Sequence, residues 1–214
     1  TVPTDQTDAT AALDDVKAHE LAPEVAALRT AAFKLLLDHG LPVELDDWAE
    51  AAGVDQETIG DVLNRNAGRV QLDDQGRLLG IAGLTIEPSG HELDINGQKR
   101  WTWCALDAVG ILGALEATGT IRSTDPRTGA TVTIEFVDGQ PQEGATIFIL
   151  GGYDGGNIRE EWCPLVNFFN TRSDAETWVK DNQLTGDILT VPQITGEASE
   201  MWQAVTDPTH HPTC

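Results

Sequence analysis

Residues 104–115 read CALDAVGILGAL, a helical stretch that is apolar on most of its sides. Such a helix cannot lie on a surface, so the chain has to surround it with a core. At 214 residues, 40% hydrophobic and 22% charged, the chain is long enough to do so, as one domain or as a small domain joined to a larger one.

The sequence upstream supplies helices first. From Pro23, the apolar positions Val25, Leu28, Phe33, Leu35, Leu36 and Leu37 recur at helical spacing until Asp38, His39 and Gly40 supply a stop. Two short helical stretches follow, 45–52 and 55–63, around a tight turn at Gly53, with Asp55 placed to cap the second. Residues 69–72 and 78–84 read as a hairpin about Asp73 to Gly76, and 84–88 and 91–95 continue as strand-like pieces. Residues 23–97 therefore read as a winged-helix-like (helix-turn-helix) domain behind a flexible arm, 1–22. The stretch Asp55–Asn66, which holds its second helix, offers only Arg65 among basic side chains against three acidic residues, which favours structural use of the motif over DNA binding.

Beyond residue 98 the chain alternates. Residues 120–123 and 131–137 are β-branched runs joined by Asp125, Pro126, Arg127, Thr128 and Gly129, a hairpin with good turn chemistry. Further strands are expected at 145–150, 165–169 and 188–191. Helices are expected from Ser173, with Glu176 at capping-box spacing, and over 198–205. The predicted class is α+β: the winged-helix-like part, then a mixed or antiparallel sheet with packed helices over 98–207, then a flexible tail, 208–214. The glycine-rich loop 151–156, immediately upstream of the second cysteine, is of a kind that can act as a lid.

Charge narrows the function. Thirteen Lys and Arg against 35 Asp and Glu leave a net −22, which repels nucleic acid and anionic membrane surfaces. No apolar run is long enough to cross a bilayer and the first residues do not resemble a signal peptide, so a cytoplasmic protein is expected, its acidity suited to a salt-rich interior. Three cysteines, an odd number, argue against a disulfide framework.

The chemistry is expected at Cys104 and Asp107. A helix starting near Trp103 puts them on one face, close enough for a carboxylate to exchange a proton with a thiol. The positive helix terminus is expected to lower the pKa of that thiol. Cys104 then reads as a nucleophile or soft-metal ligand, while inert packing beside Trp103 is the competing reading. Cys163 reaches Cys104 only through the fold. The pair lacks the four ligands in short paired spacings of a zinc site, and thiolate pairs suit soft, low-coordinate metals. His39 and His91 read as solvated. Trp48, Trp101, Trp103 and Trp178 read as packing, with Trp101 and Trp103 also able to wall an organic group.

The run Arg100-Trp101-Thr102-Trp103-Cys104-Ala105-Leu106-Asp107, with Trp162-Cys163, Val166-Asn167-Phe168-Phe169 and Ala175-Glu176-Thr177-Trp178 in order behind it, resembles the organomercurial lyase (alkylmercury lyase) family over roughly residues 25–205. The resemblance implies that Cys104, Cys163 and Asp107 cleave a carbon–mercury bond by protonolysis, giving a hydrocarbon and Hg(II) held by the two sulfurs. It implies no cofactor, an external small thiol as co-reactant, and mercuric reductase as a partner for Hg(II) handoff. Two positions depart from the family pattern: Asp125 and Pro164 stand where many or some members carry cysteine. A shuttle built on His210, His211 and Cys214 competes with a plain unstructured end. The rival functions are a metal-responsive winged-helix DNA-binding regulator, a non-catalytic soft-metal-binding relative, and thiol redox chemistry.

Overall fold

The computed structural model describes residues 22–65, 67–153 and 155–206. Three helices come first: α1 (Pro23–His39), α2 (Leu45–Ala52) and α3 (Gln56–Arg65). Pro23 opens α1, where a missing N–H costs nothing, and Gly40 closes it in the left-handed region at φ 62°, its N–H returned to the Leu36 carbonyl. The Arg100 guanidinium covers the same helix end by donating to the Leu36 and Leu37 carbonyls. Trp48 of α2 is fully buried against α1 and donates its Nε1 to the Leu28 carbonyl at 2.7 Å. Asp55 caps α3 as expected, accepting from the Thr58 N–H.

Five strands follow, β1 (Val70–Leu72), β2 (Leu78–Ile81), β3 (Leu84–Thr85), β4 (His91–Ile95) and β5 (Gln98–Thr102), and then the apolar helix α4 (Ala105–Ala114). The rest of the chain is β6 (Gly119–Thr124), β7 (Thr131–Val137), β8 (Gln140–Pro141), β9 (Thr146–Leu150), β10 (Asn167–Phe169), α5 (Arg172–Asp181), β11 (Gly186–Thr190) and α6 (Val191–Thr206). The strands form an eight-stranded sheet in the order β1-β2-β3-β5-β4-β6-β7-β8 and a three-stranded sheet in the order β10-β9-β11. Neighbouring strands run antiparallel in both, so the architecture is α+β with an antiparallel sheet.

Several local expectations shift. Residues 78–84 are not one strand: Ala82 (φ 52°) and Gly83 (φ 82°) turn the chain back after β2, so β3 pairs with both β2 and β5. The β4–β5 hairpin turns at Asn96 and Gly97, and β4 also pairs with β6, so the large sheet runs without a break past residue 97. Helix α5 is capped by Thr171, which accepts from the Asp174 N–H, because the helix begins before Ser173. Helix α6 starts at Val191, one turn and more ahead of the expected 198, directly where β11 ends.

Helix α4 is enclosed as its composition demands, with Ala105 through Leu112 all buried. Helix α6 covers one side and approaches closely because α4 offers glycines there. A Cβ at Gly110 would stand 2.2 Å from Trp202 Cε3, and one at Gly113 would stand 1.9 Å from Ser199 Oγ. Trp202 is held in place, since its Nε1 donates to the Ala82 carbonyl at 2.7 Å. No helix among the described residues is long and apolar enough to cross a membrane.

The close approach at Gly110 has a measurable cost when filled. Gly110→Ala gains about 1 kcal/mol of helix propensity but drives a methyl group into an indole that cannot move without losing its hydrogen bond. The expected net loss is about 1–3 kcal/mol, read as a lower denaturation midpoint at unchanged m-value.

Candidate active site

The turn from β5 into α4 places the first two groups. Cys104 is the N-cap residue of α4 in extended conformation and Asp107 is the third helical residue, and the two exchange bonds as a capping box. The Asp107 Oδ2 accepts from the Cys104 N–H at 2.9 Å, and the Cys104 sulfur accepts from the Asp107 N–H. Thr102 donates its hydroxyl to the Cys104 carbonyl at 2.9 Å, which fixes the entry into the helix.

Cys163 arrives from the connection between β9 and β10. A π-helical turn, Ile158–Trp162, is capped by Asn157 and runs into a short 3-10 turn, Cys163–Leu165. Pro164 sits at the start of that 3-10 turn, where its fixed φ fits and its absent N–H leaves no bond unmade. The Ala105 N–H donates to the Val166 carbonyl at 3.1 Å, which stitches the two cysteine-bearing segments together.

The ligand atoms of Cys104, Asp107 and Cys163 lie within 4.8 Å of one another, all three side chains buried and both thiols free. The Cys104 thiol is within hydrogen-bonding reach of both the Asp107 carboxylate and the Cys163 sulfur. Burial pushes the Asp107 pKa from 3.8 to about 6, against the hydrogen bonds from Cys104 and the charge of Arg29. Burial also pushes the Cys104 thiol well up, reinforced by its hydrogen bond to Cys163 and the Asp107 charge. That reverses the sequence expectation: the helix terminus is a minor effect beside the loss of water around a fully buried thiol. At Cys163 the hydrogen bond from Cys104 favours the thiolate, but burial and the Asp107 charge outweigh it and the net shift is upward, with Arg159 and Arg69 pulling the other way. Both thiols are therefore at rest in the protonated form. A carboxyl that titrates near neutrality is the group beside them able to take a proton and return it.

One residue that sequence reasoning missed makes room for this group. Gly83, in the β2–β3 turn, lies so close that a Cβ there would stand 2.3 Å from Asp107 Cγ, and its carbonyl accepts from the Trp103 N–H at 2.9 Å. A lone glycine after Ala82 gave little sign of this role. Three arginines likewise carry no local signal in the sequence. Arg159 stands over the Trp103 ring at 5.9 Å, Arg69 stands over the Tyr153 ring at 5.6 Å, and Arg29 is close enough for its charge to act on Asp107.

The other candidates divide. Trp103 is half-buried with its Nε1 donating to Gln71 Oε1 at 3.0 Å, and Trp101 lies in β5 paired with Thr85 and Glu92. Trp48 and Trp178 are packing residues, the latter against Phe148 and Phe169. His39 is exposed as expected. His91 is not: it is buried edge-on to Phe168 with Nδ1 at 2.8 Å from Ser123 Oγ, and burial lowers its pKa to about 4. A strand position alternating inward explains the error. Asp125 is fully buried and accepts from the N–H groups of Arg127, Thr128 and Asn170, tying the β6–β7 turn to the end of β10. Tyr153 of the glycine-rich loop donates to the Gly156 carbonyl, while Asp154 lies outside the described residues, as do His210, His211 and Cys214.

Comparison with known proteins agrees on one family. The family model for alkylmercury lyase, MerB, matches residues 84–203. The alkylmercury lyase of Staphylococcus epidermidis is 32% identical over 152 residues, covering 69% of each chain. That of Bacillus cereus is 30% identical over 161 residues, covering 73% of this chain and 72% of the relative. The solved structure of the mercury-bound form of MerB2 superposes with a TM-score of 0.79 at 19% identity, over 91% of this chain and 96% of that one, a likeness of fold.

The buried carboxyl predicts its own effect on stability. A folded pKa of about 6 against 3.8 means that the folded state holds the Asp107 proton more tightly than the unfolded chain does. That contribution to stability is present below the unfolded pKa and is lost as pH rises through about 6. Asp107→Asn keeps an oxygen for the Cys104 N–H and removes the buried charge. It should stabilise the fold at pH 8 by about 1–3 kcal/mol, with the gain gone at pH 4, as read by denaturation at the two pH values.

Proposed function

The chain belongs to the alkylmercury lyase family, and from that premise we propose how its own residues carry out the cleavage. It is an organomercurial lyase, an enzyme that breaks a carbon–mercury bond. Cys104 and Cys163 capture the mercury of the substrate R–Hg⁺ and Asp107 moves the proton. The observation that carries this assignment is the enclosure of two sulfurs and one carboxylate within 4.8 Å of one another.

The steps balance as follows. Ionised Asp107 takes the proton of one thiol as its sulfur bonds to mercury, giving R–Hg–S. The second thiol adds its sulfur to the same mercury, and the added electron density weakens the carbon–mercury bond. Carbon leaves with a proton from Asp107, and the products are R–H, Hg(II) held by two sulfurs, and one released proton. Burial serves this sequence twice: it lifts Asp107 into the range where both proton transfers are accessible, and it keeps bulk water from the leaving carbon. Two thiolates hold Hg(II) tightly, so release uses an external small thiol, with mercuric reductase as the receiving partner. No cofactor is required, because mercury enters with the substrate.

Asp125 and Pro164 do not disturb this reading. Asp125 serves as a hydrogen-bonded latch in a turn, and Pro164 fits the 3-10 turn beside Cys163. The winged-helix-like description of 23–97 and the assignment of 98–207 to catalysis belong to the same proposal. Three helices followed by the β1–β2 hairpin support the first. The charge of −22 disfavours nucleic acid as a partner, and a cytoplasmic setting goes with this reading. A carboxyl in the thiol cluster favours catalysis over storage, which needs ligands but no proton carrier.

The deciding experiment incubates the protein with phenylmercuric acetate and excess 2-mercaptoethanol and measures benzene. Asp107→Asn should still bind mercury but release benzene about 100-fold more slowly or worse, and full activity in that variant overturns the proton-carrier role. Gly83→Ala, which drives a methyl group against Asp107 Cγ, should lower the benzene rate at least tenfold while both thiols remain titratable.

A further inference from the structure

Nine arginines stand in this chain of net charge −22, and most of them are engaged. Arg65, Arg77, Arg127 and Arg172 pair with Asp61, Asp73, Asp174 and Glu176, and Arg100 serves the carbonyls at the end of α1. Arg29, Arg69 and Arg159 differ. They come from α1, from the 3-10 turn Ala67–Arg69 and from the π-helical turn, and their charges converge on the site, Arg29 acting on Asp107 and Arg69 and Arg159 on Cys163.

Arg159 precedes Cys163 by four residues and lies over the ring of Trp103, the neighbour of Cys104. The turn carrying Arg69 is pressed onto the one carrying Arg159, since a Cβ at Gly68 would stand 3.0 Å from Asn157 Cα. Arg69 donates to the Tyr153 hydroxyl at 3.4 Å and its charge reaches both Cys163 and Arg29. Among the described residues neither Arg29 nor Arg69 has a carboxylate within ion-pair distance, and Arg159 meets only exposed Glu160 at 3.7 Å. Three half-buried guanidinium groups, two of which, Arg29 and Arg69, repel each other, are a costly arrangement in a chain with 35 acidic residues, and a bound anion relieves it. Burial, and then the neighbouring Arg69, press the Arg29 pKa down to about 10, with the Asp107 charge pulling the other way.

We propose that Arg29, Arg69 and Arg159 form an anion-binding collar over the thiol pair, which takes the carboxylate of an acidic small thiol delivering the organomercurial as its adduct R–Hg–S–R′. The inference rests on the lyase reading above. Exchange at the site is balanced: a protein thiol bonds to mercury, the Hg–S bond to the carrier breaks, and the proton passes to the departing R′–SH. Guanidinium groups recognise a carboxylate by paired N–H donors and draw it toward the site against the general negative field of the protein. The collar thus sets which carrier the enzyme accepts, and Asp107 remains free for the proton.

The test compares methylmercury presented as its 3-mercaptopropionate adduct with the 3-mercaptopropan-1-ol adduct, carriers of equal chain length that differ in the carboxylate. Methane release by the unaltered protein should show kcat/KM about tenfold higher for the carboxylate carrier at low ionic strength, with the advantage shrinking in 0.5 M NaCl. Arg69→Gln should erase most of that advantage through KM, read as the ratio of kcat/KM for the two carriers within the one variant, so that any change of rate common to both cancels. Equal kcat/KM for the two carriers in the unaltered protein overturns the collar. No methane from either carrier overturns the lyase reading itself, so the two failures are told apart.

Discussion

The fold is organised around a carboxyl group held out of water at the start of an apolar helix. An ionised Asp107 in that position is expensive, and the surrounding structure limits the expense without removing it. The Cys104 N–H and thiol supply hydrogen bonds, Arg29 supplies opposite charge, and Gly83 supplies the space. Each comes from a different element, so helix α1, the β2–β3 turn and the β5–α4 junction have to be in register before the carboxyl is tolerated. The remaining cost appears as a pKa raised to about 6, which is the property the chemistry uses.

The same arrangement accounts for how the two sulfurs meet. No short cysteine pair exists in the sequence; the partners lie on separate segments joined by the bond from the Ala105 N–H to the Val166 carbonyl. Helix α4 is the fixed element against which both segments are placed. Its own position is set by α6 through Gly110 and Gly113, where two backbones approach more closely than side chains larger than hydrogen allow.

Much of this was legible in the sequence, for identifiable reasons. The buried α4 followed from its composition, the β6–β7 hairpin from alternation and turn residues, and the helix α1 with its stop from spacing and Gly40. Cys104 and Asp107 could be paired because helical spacing is local, whereas Cys163 could be joined to them only by resemblance, since no local rule links distant segments. What failed was also physical. The Ala82-Gly83 turn was hidden inside an apolar run, and the Cys104 thiol was misjudged because burial is a tertiary quantity that a helix-terminus argument does not contain. His91 reads as solvated in the sequence for the same reason. Arg29, Arg69 and Arg159 are ordinary one by one, and only the fold brings their charges to bear on Asp107 and Cys163.

That the thiols are brought together only by the finished tertiary structure bears on the birth of each new molecule. A nascent or unfolded chain displays isolated sulfhydryls, each able to bind a mercurial singly but unable to grip the metal from two sides. Substrate encountered during synthesis is therefore a poison of assembly, whereas the same compound met after folding is destroyed. An enzyme built this way gains from folding quickly, and from carrying few cysteines outside its site.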